Sequence, residues 1–293
     1  MIVDIVMATY NGVLFIEEQI ESIQNQTFKN WRLLISDDGS SDKTIELIRK
    51  KIECDKRIIL VNTERQGGVV KNFERALKET NANLIAFCDQ DDIWPLDRLQ
   101  ILINKYFELS NNQSIPFLIY TDLELIDARG ELLNESFYKS NRIDPLDNLK
   151  SNNLMWFSSV YGCTILVNRE LLKISLPFPK DIPMHDHWLA LKAMHANGLY
   201  YYDYKSVKYR QHELNVVGGR SKTFYEKIKV LPKNIKNIFS TVTKVKQMQF
   251  SINNKVSSIA EDFIFARKYI MPKIFKGNNK IYCLLFLVMF ILK

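Results

Sequence analysis

The chain has 293 residues, 46% hydrophobic and 25% charged, with 10 Gly and 8 Pro, which excludes disorder, a collagen repeat and a small disulfide-stapled scaffold. Cys54, Cys88, Cys163 and Cys283 lie far apart with no C-x-x-C pair, so neither a disulfide framework nor a zinc ribbon is legible and a reducing compartment fits. Asp4 stands where a signal peptide would be basic, and no stretch reaches the ~20 apolar residues of a membrane span, so a cytoplasmic protein is expected.

In chain order, short apolar runs alternate with helical stripes over the first 120 residues. Ile2–Ala8, Trp31–Ser36, Ile58–Val61, Leu84–Cys88 and Phe117–Tyr120 read as buried strands. Val13, Ile16, Ile20 and Ile23 form one helical stripe, and Ile45, Ile48 and Ile52 a second. Phe73, Ala76 and Leu77 form a third, and Leu99, Leu102, Ile103 and Tyr106 a fourth. This alternation predicts an α/β fold: a mostly parallel sheet with helices on both faces. Beyond residue 121 the pattern loosens. It predicts a helix near Pro145–Asn153, a strand over Cys163–Val167, a helix over Asp186–Ala196 and two short strands in the stretch from Tyr200 to Tyr209. From Phe224 onward a Lys-rich segment reads as helical.

The net charge of +7 is divided unevenly. Residues 1–204 hold 22 Lys and Arg against 29 Asp and Glu, whereas residues 205–293 hold 18 against 4. Nucleic acid would suit a basic region, but nothing about it requires the apolar tail Ile281–Leu292 that follows Lys273, Lys276 and Lys280, and no nucleic-acid partner is expected. As a helix that tail spans ~18 Å, short of the ~30 Å hydrocarbon core yet long enough to embed in one leaflet. Its basic flanks add about 1 kcal/mol per charge at an anionic surface. The competing expectation is a terminal helix buried in a core or dimer interface.

Ligands of open α/β sheets bind beyond the carboxyl ends of the strands, and here each strand end turns polar. The first meets Thr9-Tyr10-Asn11-Gly12, the second Asp37-Asp38-Gly39-Ser40-Ser41-Asp42, the third Asn62–Gly68 and the fourth Asp89-Gln90-Asp91-Asp92. Three acids within four positions repel one another unless they share a cation, and hard oxygen ligands select Mg²⁺ or Mn²⁺. The alternative is an acidic turn in which Asp92 caps a helix entered through Pro95. At the second strand end a serine can cap the next helix, and Asp38 can accept the imide N–H of a uracil or thymine base.

Together, Ala8-Thr9-Tyr10-Asn11, Ser36–Asp42 and Asp89–Asp92 resemble, in order and spacing, the successive signatures of family 2 glycosyltransferases of the GT-A fold. Met184-His185-Asp186-His187-Trp188 and Tyr209–Gly218 resemble later segments of members that build bacterial O-antigens and other surface polysaccharides, several of them rhamnosyltransferases. The resemblance covers residues 1–220. It implies a GT-A domain with a nucleotide-sugar-binding half, 1–120, and an acceptor-binding half, 121–220; the region 221–293 reads, from its own charge and apolar tail, as basic, helical and membrane-associating.

Residue by residue, the resemblance implies that Thr9 and Asp38 hold the nucleotide base, with Asp37 close by and Lys71 as a phosphate or base contact. Asp89 lies near the ribose or donor sugar. Asp91 coordinates Mg²⁺ or Mn²⁺ on the diphosphate, with Asp92 as an alternative ligand. Asp186 matches the general base, and His185 stands where many relatives have an acid. Arg210 is a candidate diphosphate contact and His212 a further metal ligand. The implied activity is inverting transfer from a UDP- or dTDP-linked sugar to a lipid-linked saccharide, at the inner face of the cell membrane. A non-catalytic assembly partner with the same fold is the alternative. Kinase and dinucleotide readings lack G-x-x-x-x-G-K-[ST] and G-x-G-x-x-G.

Overall fold

The first apolar run becomes β1 (Val3–Thr9), and the computed structural model, which describes residues 1–110, 114–150, 153–212, 231–276 and 280–293, builds a sheet around it. β2 (Trp31–Asp37) and β4 (Leu84–Cys88) flank β1 in parallel, and β3 (Ile58–Asn62) lies outside β2. Helices α1 (Ile16–Gln24), α2 (Thr44–Cys54), α3 (Val69–Leu77) and α4 (Arg98–Leu109) form on the predicted stripes. Successive residues of β1 point to opposite faces: Ile5 and Met7 join one core with Ile16 and Ile20, and Val6 joins a second with Phe73 and Leu77. Helices therefore cover both faces, and the carboxyl ends of the strands remain the open edge.

The sheet continues through β5 (Leu118–Ile126), β6 (Leu132–Asn134), β7 (Leu166–Asn168) and β8 (Leu199–Arg210) in the order β3-β2-β1-β4-β7-β5-β6, with β8 on β5. It is parallel from β3 to β4 and mixed beyond, because β7 enters antiparallel between β4 and β5. Three local expectations are corrected. The two strands predicted after Tyr200 are one strand, β8, which runs parallel to β5 and shifts register on either side of Asp122. The helix predicted at Pro145–Asn153 is replaced by 3₁₀ turns at Pro145–Leu149 and Asn153–Met155, the first started by Asp144, whose carboxylate accepts the Leu146 N–H. The strand predicted from Cys163 begins only at Leu166, because Gly162–Thr164 turns as a 3₁₀ helix.

α5 (Phe137–Asn141) and α6 (Arg169–Ser175) precede α7 (His185–His195), close to its predicted bounds. Residues 213–230, with the Glu213–Gly218 part of the later motif and the start of the Lys-rich segment, lie outside the described residues. Beyond them come α8 (Leu231–Asn253), α9 (Ile259–Phe265), α10 (Met271–Lys276) and α11 (Lys280–Leu292). Ser258 and Glu261 form a capping box at the start of α9. A third core joins Trp156 to Val242 and Val245 of α8, Ile270, and Cys283, Phe286 and Phe290 of α11. The opposite face of α11 leaves Ile281, Leu284, Val288 and Leu292 exposed. The tail thus divides the two expectations, with one face in a core and one in solvent. Among the described residues no helix is long and apolar enough to cross a membrane.

Candidate active site

The ends of β1, β2 and β4, the start of α3, the Ser158–Cys163 segment and the start of α7 surround one cleft of about 840 Å³. Thr9, Asp38, Asp89, Asp91 and Asp186, far apart in sequence, all line it. Asp37, Lys71, Asp92, Arg210 and His212 lie outside its wall.

The adjacent acids at the end of β2 divide their work, because neighbouring strand residues face opposite ways. Asp37 is fully buried and accepts from the Thr9 hydroxyl at 2.7 Å and from the Ser40 N–H and hydroxyl at 2.7 and 2.6 Å. Its carboxylate joins β1 to the turn that follows β2. Asp38 accepts from the backbone N–H groups of Gln66, Gly67 and Gly68 and so fixes the loop entering α3. Gly67 and Gly68, at φ of 90° and 119°, supply the left-handed backbone that aims those N–H groups inward. Lys71 is exposed in the first turn of α3. Arg65, which the sequence reading left without a role, is the one Lys or Arg in the wall among the described residues.

At the end of β4, Asp91 pairs with His212 Nε2 at 2.8 Å, and Phe15 packs on the His212 ring at 4.8 Å. Burial first, then the charges of Asp91 and Asp186, pushes Asp89 up to about 7. Asp92 is fully buried, and burial with the two neighbouring acids raises it well above the usual carboxylate range. One Asp92 oxygen accepts the Arg210 N–H at 3.2 Å, and the other has no partner. The charge of Arg98, a fully buried guanidinium lying 3.6 Å over the Trp94 ring, offsets part of that rise. Asp92 thus lies outside the cleft wall, under the influence of an internal arginine and with one oxygen left without a partner. It is no helix cap, since α4 starts only at Arg98.

Arg210 also lies outside the cleft wall. Its guanidinium donates to the backbone oxygens of Asp91 at 2.9 Å and Ala128 at 3.1 Å and to Glu18 at 2.6 Å. The first of these bonds holds the Asp91 backbone in place.

The donor chemistry fits a hard divalent ion at Asp91, with His212 and Asp89 as further donors at the same edge. Ligand atoms of Asp89, Asp92 and Cys163 also lie within 4.8 Å of one another. Burial raises the Cys163 thiol well above its ordinary range, however, and a protonated thiol is a poor ligand for Mg²⁺ or Mn²⁺.

Asp186, the second residue of α7, accepts the His187 N–H at 2.6 Å and the Gly162 N–H at 2.8 Å. Burial pushes its carboxyl up to about 6, against the pull of those two N–H groups. His187 Nε2 meets the Leu154 oxygen at 2.6 Å, and burial lowers its imidazole to about 4. Gly162 is required by close approach: a Cβ there would lie 2.8 Å from His185 Nε2 and 3.5 Å from Asp186 Oδ2.

A twisted α/β sheet with an acid-lined cleft at its carboxyl edge defines a GT-A architecture, and the chain matches the family model Glycosyl transferase family 2 over residues 4–172. The protein belongs to that family and is a glycosyltransferase. It is 31% identical over 229 residues to the dTDP-rhamnosyl transferase RfbG of Shigella flexneri, a match covering 73% of this chain and 74% of that one. It is 31% identical over 201 residues to the UDP-Glc:alpha-D-GlcNAc-diphosphoundecaprenol beta-1,3-glucosyltransferase WfgD of Escherichia coli, covering 68% and 72%. The solved structure of S. aureus TarS 1–349 in complex with UDP-GlcNAc has the same fold, with a TM-score of 0.61, 19% identity and coverage of 99% of this chain and 88% of that one.

The close approach at Gly162 carries a prediction. Gly162→Ala should displace His185 or Asp186 and lower transfer at least tenfold, while nucleotide affinity followed by calorimetry stays within about twofold. Equal losses in both would mean a general unfolding of the cleft.

Proposed function

We propose that the protein moves one sugar, with inversion at the anomeric carbon, from a UDP- or dTDP-linked donor to a lipid-linked saccharide in the synthesis of O-antigen, lipopolysaccharide or another bacterial surface polysaccharide. The carrying observation is that Asp38, Asp89, Asp91 and Asp186 open on one cleft. The names of RfbG and WfgD, which carry a dTDP-sugar, a UDP-sugar and a diphosphate-lipid acceptor, support this choice of substrates.

In this reading the nucleotide base lies by Thr9 and Asp38. A carboxylate offers about four acceptor sites; three backbone N–H groups meet Asp38, which leaves one for an imide N–H. Arg65 in the wall, with Lys71 beyond it, supplies positive charge for the diphosphate. Mg²⁺ or Mn²⁺ held by Asp91, with His212 and Asp89, neutralises charge on the leaving diphosphate when bound. Asp186 takes the proton of the acceptor hydroxyl, which arrives on the far side of the donor sugar from residues 121–220. The basic C-terminal region seats the enzyme on the inner face of the membrane. The exposed stripe Ile281, Leu284, Val288 and Leu292 supports that placement, as does the excess of 18 basic over 4 acidic residues from 205 onward.

Donor binding tests the reading. UDP or dTDP with Mn²⁺ should raise the melting temperature, since a ligand at 100 times its Kd stabilises by about 2.7 kcal/mol. Asp91→Ala should remove the metal-dependent part of that rise. No shift with any nucleoside diphosphate would favour the non-catalytic assembly partner.

A further inference from the structure

Two uncharged polar groups in the cleft wall lack partners. Asn72 in α3 is buried, and its amide donates to the Thr9 oxygen at 3.1 Å while its Oδ1 is unpaired. His185, the first residue of α7, is 3% exposed, and neither ring nitrogen has a partner. Both groups line the cleft, and Phe73, which follows Asn72 in sequence, packs on the His185 ring at 4.3 Å. Phe87 stacks on the same ring at 5.5 Å and 14°. Burial lowers the imidazole to about 3, so at neutral pH it has one N–H donor and one acceptor nitrogen.

Packing alone gives no reason for a histidine here. A phenylalanine would complete the aromatic stack without two orphaned nitrogens, and buried polar groups without partners are rare in native proteins. We propose that His185 reads a hydroxyl group of the donor sugar, with Asn72, bound to Thr9, on the side of the nucleotide. This rests on the cleft being a nucleotide-sugar site. A hydroxyl both donates and accepts, which answers a neutral imidazole. A phosphate only accepts, so it cannot satisfy the acceptor nitrogen of the neutral imidazole. His185 also precedes Asp186, so a group bound there lies beside the base, where the sugar rather than the nucleotide must be. No side chain of residue 162 stands over the His185 ring.

The test compares calorimetric affinities of UDP and dTDP with those of UDP-glucose, UDP-galactose, UDP-N-acetylglucosamine and dTDP-rhamnose, each with Mn²⁺. Wild-type protein should bind one nucleotide sugar at least tenfold more tightly than its bare nucleotide. His185→Phe should remove that increment, leave bare-nucleotide affinity within twofold and match or exceed the wild-type melting temperature. His185→Gln, which keeps a donor and an acceptor, should restore part of the increment. A folded His185→Phe that retains the full increment overturns the subsite while the nucleotide-sugar reading stands, and so does a wild type with no increment for any of these sugars. Wild-type protein that binds no nucleotide overturns both.

Discussion

Asp186→Asn should lower kcat by about 10²–10⁴-fold, the usual contribution of a general base, and leave the affinity for nucleotide and metal near that of the wild type. Asparagine keeps the shape but has a single acceptor oxygen, so it holds either the Gly162 or the His187 N–H and not both, and it cannot take a proton. Burial raises the Asp186 carboxyl to about 6, which makes it a stronger base than an exposed aspartate while leaving it ionised at neutral pH. The sign follows from the active form being the carboxylate. Transfer should fall about tenfold per pH unit below 6 and level off above it, and this acidic limb should vanish from the residual activity of Asp186→Asn. If the variant transfers sugar at the wild-type rate, another residue is the base.

Ending the chain before Lys280 should destabilise the protein and impair transfer even to a water-soluble acceptor. From sequence alone, loss of an apolar tail would release the enzyme from membranes and spare its activity. The structure changes that expectation, because Phe286 packs on Trp156 at 5.4 Å and Phe290 on Phe265 at 5.6 Å. Trp156 directly follows the Asn153–Met155 turn, whose Leu154 oxygen receives His187 Nε2 beside the base. Removing α11 uncovers Trp156 and loosens the turn against which α7 is latched. Burying one Phe contributes about 1.5–3 kcal/mol, so losing two corresponds to a fall in Tm on the order of 10 °C. Calorimetry and a soluble-acceptor assay check this; an unchanged Tm would mean that the inner face of α11 contributes nothing. The double substitution Leu284→Ser with Val288→Ser, on the outer face, should leave Tm within about 2 °C and weaken sedimentation with anionic vesicles.

Much of the donor half was legible because its signals are local. Strands of five to seven apolar residues and stripes at helical spacing bury the same residues wherever the chain goes, so β1 to β4 and α1 to α4 formed where periodicity predicted. The second half was less legible. Cys163 and Thr164 read as the start of a strand by composition, yet Gly162–Thr164 turns where the Gly162 N–H meets Asp186, 24 residues on. Arg98 occupies a position at the head of a helical stripe, and nothing in its neighbourhood in sequence announces a fully buried guanidinium behind the acids after β4.

By itself the sequence determined the α/β class, the polar strand ends and the acids gathered there, since these depend on residue type and on spacing along one element. Tertiary structure decided which of those acids face the cleft. Asp37 and Asp38 differ by one position, but strand alternation turns the first toward Thr9 and Ser40 and the second toward the loop before α3. Asp91 reaches the cleft while Asp92 is buried, and Arg210 is occupied by Glu18, 192 residues away. The physical reason is that a carboxylate or guanidinium takes its role from the dielectric and the hydrogen-bond partners around it, and here those come from elements remote in the chain.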